Sequence, residues 1–191
     1  PETQKPRKIE AREDEFLARY GPWFWKATKS IKKVLHSRSK HFYTAGSDKE
    51  QIGEWFDQCC GQKIIEIDYS NWDGSMTPWD LQNEIWFIDN IFVDKPPEWE
   101  TLRANWKVMR ATSNGVTYVT FFGRRSGDPW TSLFNSIFNL ILSEWLIPSA
   151  LAICANGDDG VVSADKVDTV EELERKAALL GRSIKIASKD R

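Results

Sequence analysis

The chain has 191 residues, 26 Lys and Arg against 28 Asp and Glu, with 41% hydrophobic and 28% charged residues. This is the composition of an ordinary soluble globular protein, neither disordered nor fibrous. At this length a full core can be buried without a disulfide scaffold or a structural metal.

The three cysteines (Cys59, Cys60, Cys154) and two histidines (His36, His41) lack zinc-ligand spacing, so a reducing compartment is expected. The longest apolar stretch, Ile137 to Ala155, is interrupted by Asn139, Glu144 and Pro148, and no membrane span is expected. The chain opens on Pro1 and a charged run without a secretory signal, which leads us to expect a piece of something longer. Charge is uneven. Residues 1–40 hold 11 basic and 5 acidic groups, residues 41–100 hold 3 and 13, and residues 101–191 hold 12 and 10.

In chain order, Asp14 to Leu35 reads as helix with a break near Gly21-Pro22. Lys26, Lys29, Lys32, Lys33, His36 and Lys40 follow helical spacing and make one face positive, either a solvated face or a phosphate-backbone contact. Ser47 and Glu50 form a capping box for a second helix to about Cys60. Gln62 to Asp68 alternates as a strand, and Thr77-Pro78 caps a helix carrying Leu81, Ile85 and Ile88 on one side. Pro96-Pro97 leads into a short helix through Trp106, and Asn114-Gly115 centres a hairpin spanning Val108 to Phe122. Asp128 to Leu146 is predicted helical. Leu151 to Ala155 and Val161 to Ala164 are predicted strands, Thr169 to Gly181 a capped helix, and Ile184 to Ala187 a last strand. The mixture predicts an α+β domain on an antiparallel sheet flanked by helices.

Chemistry concentrates at three points. Asp68-Tyr-Ser-Asn-Trp-Asp73 puts one carboxylate at a strand end and a second five residues later. Asn156-Gly-Asp-Asp-Gly160 is a glycine-flanked turn projecting two acids from a sheet edge. Hard oxygen ligands without histidine suit magnesium, and strand-end acids from separate segments suit two-metal phosphoryl transfer. The third point is Ser126-Gly-Asp-Pro-Trp-Thr131-Ser-Leu-Phe-Asn135, a turn entering a helix with Thr131 and Asn135 on one face. Taken alone it reads as an N-cap, Ser126 or Asp128, with Pro129 at the first helical position.

In this order the three segments resemble motifs A, B and C of the palm of a positive-strand RNA virus RNA-dependent RNA polymerase, of picornavirus-like, tombusvirus-like or nodavirus-like type. Asp68 and Asp73 match motif A; Ser126, Gly127, Thr131 and Asn135 match motif B; Gly157, Asp158 and Asp159 match motif C. Lys5-Pro-Arg7-Lys-Ile9-Glu10 resembles the basic motif F, and the helix ending at Gly181 followed by Lys185 and Lys189 resembles motif D. The resemblance implies a polymerase palm over residues 62–191 and a partial fingers segment over residues 1–61, with the thumb and N-terminal fingers absent.

It further implies magnesium-dependent nucleotidyl transfer from ribonucleoside triphosphates to an RNA 3′ hydroxyl. Two magnesium ions, with manganese able to substitute, would be held by Asp68 and Asp158, with Asp159 and the Tyr69 carbonyl in support. Arg7, with Lys5 or Arg12, would bind triphosphate oxygens. Asp73 and Asn135, with Ser126 or Thr131 and the Gly127 turn, would surround the ribose 2′ hydroxyl. Lys189 would donate the proton, with Lys185 in reserve. Partners would be template and nascent RNA and the remaining polymerase segments. The setting would be the host cytoplasm, at membrane-associated replication complexes reached through parts outside this chain.

Two other readings stand beside this one. A reverse transcriptase resembles this palm but carries an aromatic gate where this chain has Asp73, and Tyr-x-Asp-Asp where it has Asn156 to Asp159. A catalytically silent RNA-binding domain explains the basic helix and the ten tryptophans, but not three acids at metal-binding positions.

Overall fold

The structure, a computed structural model, describes residues 12–36, 40–58, 61–113 and 115–190. Its elements are α1 (Asp14–His36), β1 (His41–Tyr43), α2 (Lys49–Gln58), β2 (Lys63–Tyr69), a 3-10 turn (Asp73–Ser75) and α3 (Pro78–Ile91). There follow α4 (Trp99–Ala104), β3 (Val108–Ser113), β4 (Val116–Phe121), α5 (Thr131–Leu146), β5 (Ala150–Asn156), β6 (Asp159–Ala164), α6 (Val170–Leu179) and β7 (Ile184–Asp190). Five strands form one sheet in the order β1-β5-β6-β2-β7, and β3 and β4 pair separately as a hairpin. The α+β class is as expected. The sheet, however, is mixed: β1 runs parallel to β5, and every other pairing is antiparallel.

Strand alternation sets the two faces. Ile65, Ile67 and Tyr69 of β2 are buried in the main core, together with Phe24 of α1, Ile85 and Ile88 of α3, and Leu133 and Phe134 of α5. On the opposite face, Ala152 and Cys154 of β5 pack with Phe42 and with Trp55 of α2. α2 thus covers only the β1–β5 end of that face. Over β2, β6 and β7 an open cleft of about 430 Å³ remains, lined among others by Asp68, Asn156, Asp159 and Lys185.

Several local expectations are met by local chemistry. Thr77 accepts from the Asp80 backbone N–H while the Asp80 carboxylate accepts from that of Thr77, and Pro78 follows at the first helical position. Others are corrected. α1 runs unbroken through Pro22, because Tyr20 on one side and Phe24 and Ala27 on the other are buried in the same core. That anchorage offsets the ~3 kcal/mol an interior proline costs a helix. The α2 box is Asp48 with Gln51, one residue later than expected, since the Ser47 hydroxyl accepts from Lys32 Nζ instead.

α5 begins at Thr131 with Trp130 before it, not at Asp128. The Asp128 carboxylate pairs with Arg12 and does not cap the helix. The three-residue β1, which sequence reading missed, places part of residues 1–61 in the same sheet as β2, β5, β6 and β7.

Candidate active site

β2 delivers Asp68 to the sheet edge on the exposed side of the alternation. Its preceding residue, Ile67, sits opposite Gly160 of β6, so Asp68 and the Asp158-Asp159 corner lie at the same end of neighbouring strands. The β5–β6 hairpin turns on two residues, Gly157 and Asp158, with Asn156 paired to Asp159. Gly157 takes φ 66°, a left-handed conformation natural to glycine, which makes this tight turn possible.

α5 grips this turn through its backbone. The Ser136 hydroxyl accepts from Gly157 N at 2.8 Å, and Asn139 Nδ2 donates to the Gly157 carbonyl at 3.1 Å. Asn139 Oδ1 accepts from the Ser143 hydroxyl at 3.0 Å, and all three side chains belong to buried residues. Gly160 must be glycine for the same reason, since a Cβ there would stand 2.7 Å from Asn139 Oδ1.

Past β2 the chain reverses at Asn71, also left-handed at φ 54°, and sends Asp73 toward α5 while Asp68 stays at the cleft. Asp73 Oδ1 accepts from Asn135 Nδ2 at 3.3 Å, and its carbonyl accepts from Arg124 N at 3.0 Å. Burial pushes the Asp73 carboxyl above its ordinary range. Asn135 and Arg124 pull it back, and the charges of Asp158 and Asp128 add to the rise. Acids from three separate segments therefore share one electrostatic neighbourhood.

Behind Asn135 lies a buried network that sequence reading missed. Asn135 Oδ1 accepts from Arg124 Nε at 3.0 Å, and both Arg124 terminal nitrogens donate to Glu84, whose Oε2 also accepts from Trp106 Nε1 at 2.8 Å. The available signal was Glu84 on the apolar face of α3, one turn from Leu81 and Ile88.

The remaining predicted residues divide. Ser126 is exposed beside Gly127, while the Thr131 hydroxyl donates to the Arg125 carbonyl and holds the turn. Arg12 lies over the Phe16 ring at 4.2 Å and pairs with Asp128, which ties it to the Ser126-Gly127 turn. Lys5 and Arg7 lie outside the described residues.

The two candidate lysines are well separated. Lys185 is the register partner of Asp68, whereas Lys189 is opposite Ile64, four residues along the strand, and pairs on the surface with Glu66 at 3.1 Å. Tyr69 faces the other way: its ring is buried in the core, and burial raises its phenol above the ordinary value, so only its backbone is left for a metal shell.

Among the described residues no three His, Cys, Asp or Glu side chains are grouped as a complete metal shell. The donors at the edge nevertheless fit a hard cation. They are carboxylate oxygens of Asp68 and the Asp158-Asp159 corner, brought to the same end of adjacent strands, and a magnesium ion completes its shell with water and phosphate oxygens.

The chain matches the family model for viral RNA-dependent RNA polymerase over residues 5–190. It is also similar to the RNA-directed RNA polymerase of Pariacoto virus, at 29% identity over 110 residues, which is 56% of this chain and 11% of that protein. The chain thus matches only about a tenth of the length of this relative. With the match running over nearly all of its length, the chain belongs to the viral RNA-dependent RNA polymerase family.

Proposed function

We propose that this chain is the palm-centred portion of an RNA-dependent RNA polymerase, with residues 62–191 as palm and residues 1–61 as part of the fingers. The observation that carries the reading is the arrival of Asp68 and Asp158-Asp159 at one end of adjacent strands, with Asn135 reaching across to Asp73 beside them. Asp68 and Asp158 would hold magnesium, supported by Asp159 and the Tyr69 carbonyl. When bound, the metal supplies a Lewis acid for the attacking oxygen and charge neutralisation for the pyrophosphate.

The chain's own residues do the rest. Asp73 and Asn135 present an acceptor and a donor to the ribose 2′ hydroxyl of a ribonucleoside triphosphate, on the floor set by Ser126, Gly127 and Thr131. Lys5 and Arg7 bind triphosphate oxygens, and Arg12 fixes the turn at Asp128. Lys185 serves as proton donor in preference to Lys189, because its register beside Asp68 puts it at the reacting end of the sheet. Template and product RNA are the partners, at host replication complexes. No described helix is long and apolar enough to cross a membrane.

The test is nucleotide incorporation by the complete polymerase carrying this segment, in wild type, Asp68→Ala and Asp158→Ala. Each substitution is expected to abolish incorporation, because the lost ligand removes charge stabilisation that no neighbour replaces. Wild-type turnover in either variant would refute the assignment. An RNA-binding domain without catalysis predicts no incorporation by any of the three.

A further inference from the structure

We infer that Arg124, held by buried Glu84, is a positioning residue that fixes the polarity of the ribose-reading pair Asp73 and Asn135. The inference rests on the polymerase reading and adds two residues that touch neither nucleotide nor metal. The side chains of Arg124 and Glu84 are 1% and 0% exposed, and they meet through two hydrogen bonds in the core. Arg124 Nε then donates to Asn135 Oδ1 at 3.0 Å, and Arg124 N donates to the Asp73 carbonyl at 3.0 Å. One residue therefore holds the main chain of Asp73 and the side chain of Asn135.

A primary amide has two orientations of nearly equal shape, differing only in which end accepts. A guanidinium has donors alone, so Asn135 must turn its oxygen to Arg124 and its NH2 to Asp73, where the contact is 3.3 Å. Reversed, the amide would set its oxygen against the Asp73 carboxylate, and the donor that helps the carboxylate read a hydroxyl would be gone. Glu84 supplies the counter-charge that lets a guanidinium sit in the core, and its Oε2 also accepts from Trp106 Nε1 at 2.8 Å. Packing alone does not call for this pair. A buried ion pair can often be replaced by apolar residues of similar volume without loss of stability.

The experiment uses the complete polymerase carrying this segment and reads the ratio of kcat/KM for a matched ribonucleoside and deoxyribonucleoside triphosphate. Two variants are compared with wild type: Glu84→Leu combined with Arg124→Met, which removes both charges, and Arg124→Lys, which keeps a cation for Glu84 but loses the fork. Both are expected to narrow the ratio by about tenfold, since a site that has lost its oriented donor discriminates less against a missing hydroxyl. A purely structural role would lower both kcat/KM values together, and an unchanged ratio in either variant would overturn the proposal. Failure of the apolar double variant to fold, judged by its thermal transition, would also overturn it, because the pair would then be required by packing. A wild type that incorporates neither nucleotide fails a different reading, that of the polymerase itself.

Discussion

Asn139 and Gly160 should not behave as independent positions, and the geometry of the β5–β6 turn sets the size of the departure. A methyl group added by Gly160→Ala would meet Asn139 Oδ1 at 2.7 Å and Nδ2 at 3.2 Å. The amide cannot swing clear, because it donates to the Gly157 carbonyl at 3.1 Å and accepts from Ser143 at 3.0 Å in a fully buried position. Overpacking of this kind costs about 1 to 3 kcal/mol. Asn139→Ala has its own cost, since it leaves the Gly157 carbonyl and the Ser143 hydroxyl without this partner, at about 1 to 3 kcal/mol for each group that stays unpaired. In the double variant the obstructing amide is gone, so the alanine at position 160 should add almost nothing. Urea unfolding of wild type, both single variants and the double variant closes the cycle. The double variant is expected to be more stable than the sum of the singles by about 1 to 3 kcal/mol. Additivity within about 0.5 kcal/mol, the range normal for non-contacting sites, would refute the close approach on which the reasoning rests.

Two further outcomes follow from positions at the cleft. Lys185→Leu in the complete polymerase should lower kcat with little change in KM, as expected for a group acting in the transition state, whereas Lys189→Leu should leave both near wild type. The reverse pattern in steady-state kinetics would return the proton-donor role to Lys189. Asp73 gives a pH signature: burial raises its folded-state pKa above the ordinary 3.8, so its stabilising contribution is full below that value and is lost as pH climbs through the raised one. Asp73→Asn should therefore gain stability relative to wild type as pH rises from about 3 toward neutrality. Denaturant midpoints across that window that track in parallel would show that Asp73 is not desolvated as described.

The parts of this molecule legible in its sequence are those fixed within a few residues. Thr77-Pro78 sets its helix start by its own hydrogen bonds, the alternation of Ile65 and Ile67 against Glu66 and Asp68 needs only the pleat, and Gly157-Asp158 turns a hairpin because glycine tolerates a left-handed φ. What was not legible depends on distant partners. β1 has three residues and no pattern of its own, and it exists as a strand because β5 offers it a parallel edge. Asp128 looks like a cap until Arg12, 116 residues earlier, claims its carboxylate.

The polar stripe on α5 is the instructive middle case. Ser136, Asn139 and Ser143 recur at spacings of three and four within a helix otherwise rich in Leu, Ile and Phe. Read along the chain, Asn139 does no more than argue against a membrane span. Read around the helix, a stripe of hydroxyls and an amide on a buried face is a standing cost that the helix cannot meet from its own backbone, whose groups are already paired. Such a stripe needs polar groups opposite it, and here Ser136 and Asn139 find them in the backbone of the two-residue turn that carries Asp158. The glycines flanking Asp158 and Asp159 and the serines and amide 17 to 24 residues before Gly160 thus belong to one contact, written in two places.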